Sequence, residues 1–146
     1  MKPRVTFARQ GRSLVAGQIS QLVVIDIETA SQTIVFEADE IIEAPNWTPD
    51  GETLVFNAGG ELWRIDHQGR AAPEKIDTGH LRDLNNDHVL SPDGRTIYVS
   101  SNDGHLYSLP VTGGTPVRVS NTHDTAFHYY LHGISPDGAT LAYVAV

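Results

Sequence analysis

The sequence predicts an all-β fold of the β-propeller class, and three features of the chain support this. First, the tripeptide Pro-Asp-Gly occurs three times at nearly equal spacing, at residues 49–51, 92–94 and 136–138. Second, a short strand with apolar side chains follows each tripeptide, starting at a threonine each time. Third, no segment has the periodicity of an amphipathic helix. A repeat of this length in a sequence rich in strands is typical of propeller blades.

Four short antiparallel strands, named A to D from the ring axis outward, are predicted in each unit. Strand A precedes the Pro-Asp-Gly turn and strand B follows it, because proline, aspartate and glycine together favour a tight turn. A second turn leads to strand C, predicted at 62–65 and 106–109, and a weaker strand D follows near 73–77 and 116–119. Residues 22–25 and 33–37 match strands C and D of an earlier unit.

The strand count predicts about three blades in the chain. Its predicted segments are a leader or degenerate strands at 1–19, a half blade at 20–42, a blade at 43–79, a blade at 80–121 and a half blade at 122–146. The first half blade supplies strands C and D, and the last supplies A and B. Because propellers usually have four to eight blades, two chains are predicted to close a six-bladed ring as a homodimer. A competing count accepts 4–17 as strands A and B and predicts a seven-bladed dimer.

The composition excludes several classes of function. The chain has 146 residues, a net charge of −8 and no cysteine, so it has neither disulfide bonds nor thiolate metal ligands. An acidic chain disfavours nucleic acid and anionic membranes as partners, because binding phosphate needs clustered lysine and arginine. The longest aliphatic run, at 22–25, is too short to cross a bilayer, and no apolar segment of a signal peptide follows the basic N-terminus. We therefore expect a cytoplasmic protein.

Two of the seven histidines suggest a metal site. Aligning the repeats on their prolines places Pro45, His88 and His132 at the same position of strand A, the strand beside the central channel. Strand alternation puts Tyr130 on that face as well, and Asp87 on the opposite one. In a closed dimer His88 and His132 would each occur twice and would be able to bind a divalent transition metal. The alternative is that they form hydrogen bonds with neighbouring strands or channel water, since spacing fixes no third ligand.

The loops and strand A residues that converge at the channel mouth form the predicted binding surface. No catalytic residue is predicted, because the repeated aspartates are explained by the turns that contain them. The candidate ligand-binding residues are Asn85, Asn86, Asp87, His88, His128, Tyr130 and His132. We expect a protein or a small molecule to bind there.

The three repeats resemble the WD40-like repeat of the TolB β-propeller family. The resemblance rests on Trp-Thr-Pro-Asp-Gly at 47–51, Leu-Ser-Pro-Asp-Gly at 90–94 and Ile-Ser-Pro-Asp-Gly at 134–138, and it covers about residues 20–146. Members of this family normally have a whole six-bladed ring in one chain, so this chain resembles half a propeller. The resemblance implies a non-enzymatic binding module or self-assembling scaffold that needs no cofactor.

A second function is implied by another protein with the same repeat, a metal-dependent oligogalacturonate lyase. By that resemblance the chain would be a metal-assisted carbohydrate-active enzyme that uses His88 and His132 of the channel. The peptidases that carry such propellers need a Gly-x-Ser-x-Gly motif on a separate domain, and the sequence contains no such motif. Peptidase activity of this chain alone is therefore excluded.

Overall fold

A computed structural model describes residues 12–146, and every regular element in this range is a β-strand. Four antiparallel sheets follow one another along the chain, with two, four, four and two strands. The strands of the first two sheets are β1 Ser20–Ile25, β2 Gln32–Ala38, β3 Glu43–Trp47, β4 Thr53–Ala58, β5 Glu61–Asp66 and β6 Glu74–Lys75. Those of the last two are β7 Leu84–Leu90, β8 Thr96–Ser101, β9 Leu106–Pro110, β10 Val117–Arg118, β11 Tyr129–Ile134 and β12 Leu141–Ala145.

The two complete sheets have the strand order predicted for propeller blades. The first blade is β3-β4-β5-β6 and the second is β7-β8-β9-β10, each with consecutive strands side by side. The N-terminal pair is β1 with β2, and the C-terminal pair is β11 with β12. The prediction of an all-β fold with four-stranded antiparallel blades is thus confirmed. The competing prediction of strands at 4–17 falls partly on residues 1–11, which lie outside the described residues, and 12–17 contain no strand.

Each Pro-Asp-Gly turn is held by the same set of hydrogen bonds. In the second blade the Ser91 hydroxyl donates to Asp93 Oδ1 at 2.6 Å, and the Arg95 N–H donates to the same oxygen at 3.1 Å. The Thr96 N–H donates to Ser91 Oγ at 2.9 Å, which joins the two ends of the turn. The hydrogen bond from Ser91, followed by that from Arg95, holds the pKa of Asp93 below its usual value. Gly94 completes the turn with a positive φ of 70°.

Apolar side chains between successive sheets form the core. The N-terminal pair packs on the first blade, where the rings of Phe36 and Phe56 lie 6.4 Å apart. A second cluster joins the first blade to the second, with Val55 and Ile97 almost completely buried. The sheets therefore stack face to face in chain order, as blades do around a ring. No helix in residues 12–146 is long and apolar enough to span a membrane.

Candidate functional site

The first strands of three successive sheets, β3, β7 and β11, lie next to one another. Each of them departs from regular pairing with the strand that follows it. Register shifts occur between Glu43 and Asn46, between Leu84 and His88, and between Leu131 and Gly133. Such bulges turn side chains away from the simple alternation of a strand. Spacing along these strands therefore does not determine which face the predicted site residues of strand A occupy.

His88 is buried between the first and second blades. His88 is only 4% exposed, and both nitrogens of its ring form hydrogen bonds with side chains of the first blade. Nδ1 lies 2.6 Å from Asn57 Oδ1 and therefore donates, while Nε2 lies 3.2 Å from Asn46 Nδ2 and accepts. Burial lowers the pKa of His88 to about 4, so the ring is neutral at physiological pH. A metal ion at His88 would have to displace one of these hydrogen bonds.

Two asparagines of the first blade complete this hydrogen-bond network. Asn57 Nδ2 donates to the backbone oxygen of Asn85 at 2.8 Å, and Asn46 Nδ2 lies 3.1 Å from the backbone oxygen of His88. Sequence reasoning missed both asparagines. The signal available for Asn57 was a polar residue at the buried end of strand B, where Ser100 stands in the second blade and accepts a hydrogen bond from the Leu131 N–H. This position links each blade to the next.

His132 occupies a different environment from His88, although the two align in sequence. Leu131 pairs with Tyr143 and Gly133 pairs with Ala142, so His132 is the extra residue of the bulge and stands opposite no residue of β12. His132 is exposed, whereas His88 is buried. The structure therefore does not bring the two imidazoles of one chain into equivalent positions. Within residues 12–146 no group of three or more His, Cys, Asp or Glu side chains is placed to hold a metal ion.

Asp87 and His132, from neighbouring inner strands, do lie near each other. Burial raises the pKa of the half-buried Asp87, and the positive charge of a protonated His132 opposes part of that rise. The Asp87 N–H donates to Asn85 Oδ1 at 2.7 Å, which fixes the backbone before the bulge ends. Asn86, another predicted site residue, is half-buried on the same strand. The Asp87 carboxylate and the His132 imidazole thus lie close enough to interact electrostatically, without a direct hydrogen bond between them.

His128, just before β11, and Tyr130 on β11 form the rest of the candidate site. The rings of His128 and Tyr130 are stacked, with centroids 6.3 Å apart and an interplanar angle of 18°. His128 is exposed and Tyr130 is half-buried. We call Asp87, His128, Tyr130 and His132 the inner-strand surface. Its members come from β7, from β11 and from the residue just before β11, and they offer one acidic group, two imidazoles and a phenol.

A cavity of about 270 Å³ lies elsewhere, between the first two blades at their Pro-Asp-Gly turns. Asp50, Arg64 and Asp93 contribute its charged side chains, and Arg64 forms an ion pair with Glu74. None of the site residues predicted from the sequence lines it. The cavity is therefore separate from the inner-strand surface.

Comparison with known proteins places this fold among the TolB-like propellers. No protein-family model matches the chain. An uncharacterised protein of Agrobacterium fabrum is 38% identical in an alignment of 131 positions that covers 87% of this chain and 43% of that protein. A solved structure described as a putative TolB from Agrobacterium tumefaciens superimposes with a TM-score of 0.77 and 38% identity, over 87% of this chain and 46% of that one.

A more distant structure has the same fold. TolB from Acinetobacter baumannii is 19% identical, with a TM-score of 0.64 over 83% of this chain and 31% of its own length. The chain thus spans less than half the length of each of these proteins. The described part of the chain has the TolB-like β-propeller fold, of which it represents about half a ring.

Proposed function

We propose that the chain functions as a β-propeller binding or scaffold module and that the inner-strand surface is its binding site. The TolB-like fold supports a role of this general kind. The observation that carries the choice of site is the half-buried carboxylate of Asp87 on β7, within electrostatic range of the exposed His132 on β11. Half-buried carboxylates with a perturbed pKa are common at functional sites.

The chemistry of the inner-strand surface favours a protein segment with a basic side chain as the partner. Asp87 supplies a carboxylate acceptor in a partly desolvated position, where an ion pair is stronger than in open water. The stacked rings of His128 and Tyr130 offer a flat face on which an aliphatic or guanidinium group is able to pack. The net charge of −8 repels polyanions and attracts cationic segments.

The proposal is tested with a panel of fluorescent peptides that carry lysine or arginine at varied positions, using fluorescence anisotropy. We expect at least one basic peptide to bind, and Asp87→Asn to weaken that binding about tenfold, the effect of losing one charged contact. Asp124→Asn is the matched control, because it removes the same charge from an exposed loop residue. Equal weakening by the two variants, or no binding by any peptide, would contradict this site.

The metal-assisted enzyme is not favoured by any contact of the described residues. It requires His88 as a ligand, and both ring nitrogens of His88 form hydrogen bonds with the first blade. His132 is exposed and lies near one carboxylate, that of Asp87. This alternative stays a prediction, and uptake of Zn²⁺ or Mn²⁺ that is lost in His132→Ala would support it.

A further inference from the structure

We propose that a second copy of this chain completes the blades at both ends, with β12 pairing antiparallel with β1 of the second copy. The inference concerns how the ring closes and does not depend on the binding role proposed above. It rests on three features of the described residues: the strands present at the two ends, the apolar side chains exposed there, and a contact repeated between successive turns.

The two ends contain complementary halves of a blade. The N-terminal pair corresponds to strands C and D of a complete blade, and the C-terminal pair corresponds to strands A and B. Among the described residues β1 pairs only with β2, and β12 pairs only with β11. Joining β12 to β1 of another copy restores the order A-B-C-D. Two such joints, one at each end, give a two-fold ring of six blades.

The complete blades predict the register of this new pairing. In the first blade Val55 of strand B lies opposite Arg64 of strand C, and in the second blade Tyr98 lies opposite Ser108. The corresponding positions at the chain ends are Ala142, counted from its Pro-Asp-Gly turn, and Val24, counted from the first apolar residue of its strand. Ala142 is therefore expected opposite Val24 of the second copy, with Tyr143 opposite Val23.

Both edge strands expose apolar side chains that this register would bring together. On β1, Val23 and Ile25 are 38% and 51% exposed, and on β12, Tyr143 and Val144 are 45% and 52% exposed. An aromatic residue opposite a β-branched one is a favourable cross-strand pair. Exposed apolar edge strands are otherwise a source of aggregation, so proteins normally cover them.

Successive Pro-Asp-Gly turns touch each other in a regular way. A methyl group added at Gly94 would lie 3.5 Å from Cδ of Pro49, and one added at Gly138 would lie 3.5 Å from Cδ of Pro92. Each proline thus packs on the glycine of the next turn. At the two ends of this series, one glycine and one proline take part in no such contact among the described residues.

Those two residues are Gly51 and Pro136. No described atom lies within 4 Å of a methyl group built on Gly51, and Pro136 is exposed. The N-terminal pair already packs on the first blade. A C-terminal pair joined to the second copy's N-terminal pair would therefore lie beside that copy's first blade, where Pro136 is expected to pack on Gly51 of the second copy. The N-terminal pair and the C-terminal pair are complementary halves of one blade, which is why we assign the partner as a second copy.

Cysteine pairs test this register directly, because the chain has no cysteine of its own. The double variant Val24→Cys with Ala142→Cys places two thiols at the predicted opposite positions, which lie within the reach of a disulfide. Gln21→Cys with Ala142→Cys is the matched control, three residues out of register. After mild oxidation we expect the first variant to migrate on a non-reducing gel at twice the chain mass of 15.9 kDa, and the control to migrate as a single chain.

Three results would overturn the proposal. These are equal cross-linking of both variants, no cross-linking of either, and a disulfide within one chain, which would mean that the chain closes on itself. If Val24→Cys prevents folding, as seen by loss of the β-sheet circular dichroism, Val23→Cys with Tyr143→Cys replaces it. That pair is also opposite in the predicted register, and the same three results would count against it.

Discussion

His88 shows how one buried imidazole joins two blades of this protein. It donates to Asn57 and accepts from Asn46, so a neutral ring with the proton on Nδ1 satisfies both partners. A protonated ring would have two donors, and its Nε2 would then face the amide donor of Asn46. The contact between the first blade and the second therefore depends on the neutral form.

The first prediction is that the free energy of unfolding falls when the pH drops from about 6.5 to about 4. In this interval the unfolded histidine binds a proton, while folded His88, with its pKa lowered by burial to about 4, does not. Proton binding to the unfolded state therefore lowers the free energy of unfolding as the pH falls. The contribution of His88 is up to about 3 kcal/mol over the whole interval. Urea unfolding measured at closely spaced pH values checks this.

His88→Gln should remove this contribution and make the stability less dependent on pH in that interval. His128→Gln, at an exposed position, controls for the loss of an imidazole as such. An unchanged pH profile in His88→Gln would mean that His88 does not govern the acid sensitivity.

The sequence predicted which strand carries His88 and His132, and its alternative of hydrogen bonds to neighbouring strands describes His88, but it did not predict that the two environments differ. Alternation along a strand assumes regular pairing, and the register shifts in β7 and β11 break it. The pattern of apolar and polar positions along these strands contains no clear sign of these bulges. The nearness of Asp87 and His132 depends on how two strands from different blades lie together, which spacing along one chain does not determine.

At the scale of single elements, the Pro-Asp-Gly turn is the best predicted part of the chain. Strands β4 and β8 begin at the threonines expected from the repeat, Thr53 and Thr96. The local chemistry explains this success, because the aspartate and the preceding hydroxyl both accept hydrogen bonds from backbone N–H groups within a few residues. Such turns need no distant contact to form.

The second prediction is that Ser91→Ala destabilises the protein by about 1 kcal/mol. The variant removes the acceptor of the Thr96 N–H and the donor to Asp93, at a residue that is 8% exposed. The free energy of unfolding in urea measures the loss. Ser91→Thr, which keeps the hydroxyl and matches Thr48 of the first blade, is expected to retain most of the stability.

The third prediction concerns the turn between β5 and β6, which packs on β2 of the N-terminal pair. A methyl group at Gly69 would lie 2.2 Å from the backbone oxygen of Val35, so Gly69→Ala must push β2 away from the turn. Gly94→Ala has nearly the same positive φ but only ordinary contacts, and strain alone should destabilise it by roughly 1–2 kcal/mol. We expect Gly69→Ala to be clearly less stable than Gly94→Ala in urea unfolding. Equal stabilities would contradict the close packing of this turn on β2.

At the scale of the whole molecule, the repeat alone was enough to predict the propeller class and about half a ring. A fixed period carries this information because each unit buries its faces only against its neighbours. The repeat did not determine how many blades the closed ring contains. The six-bladed and seven-bladed counts differ over residues 4–17, most of which lie outside the described residues.

The fourth prediction is that Tyr143→Lys prevents ring closure. A lysine on β12 would place a charge in the apolar pairing expected between β12 and β1 of the second copy. Val117→Lys is the matched control, because Val117 is 61% exposed on β10, the last strand of the second blade. Light scattering after size exclusion should report a single chain for Tyr143→Lys and an unchanged mass for Val117→Lys.

The most direct test of ring closure by two copies is the solution mass of the unmodified chain, measured by light scattering after size exclusion. Closure of one ring by two copies predicts a single species at twice the chain mass of 15.9 kDa, over a range of protein concentrations. A stable, folded species of 15.9 kDa would contradict it, because the edges of β1 and β12 would then not be joined by a second copy.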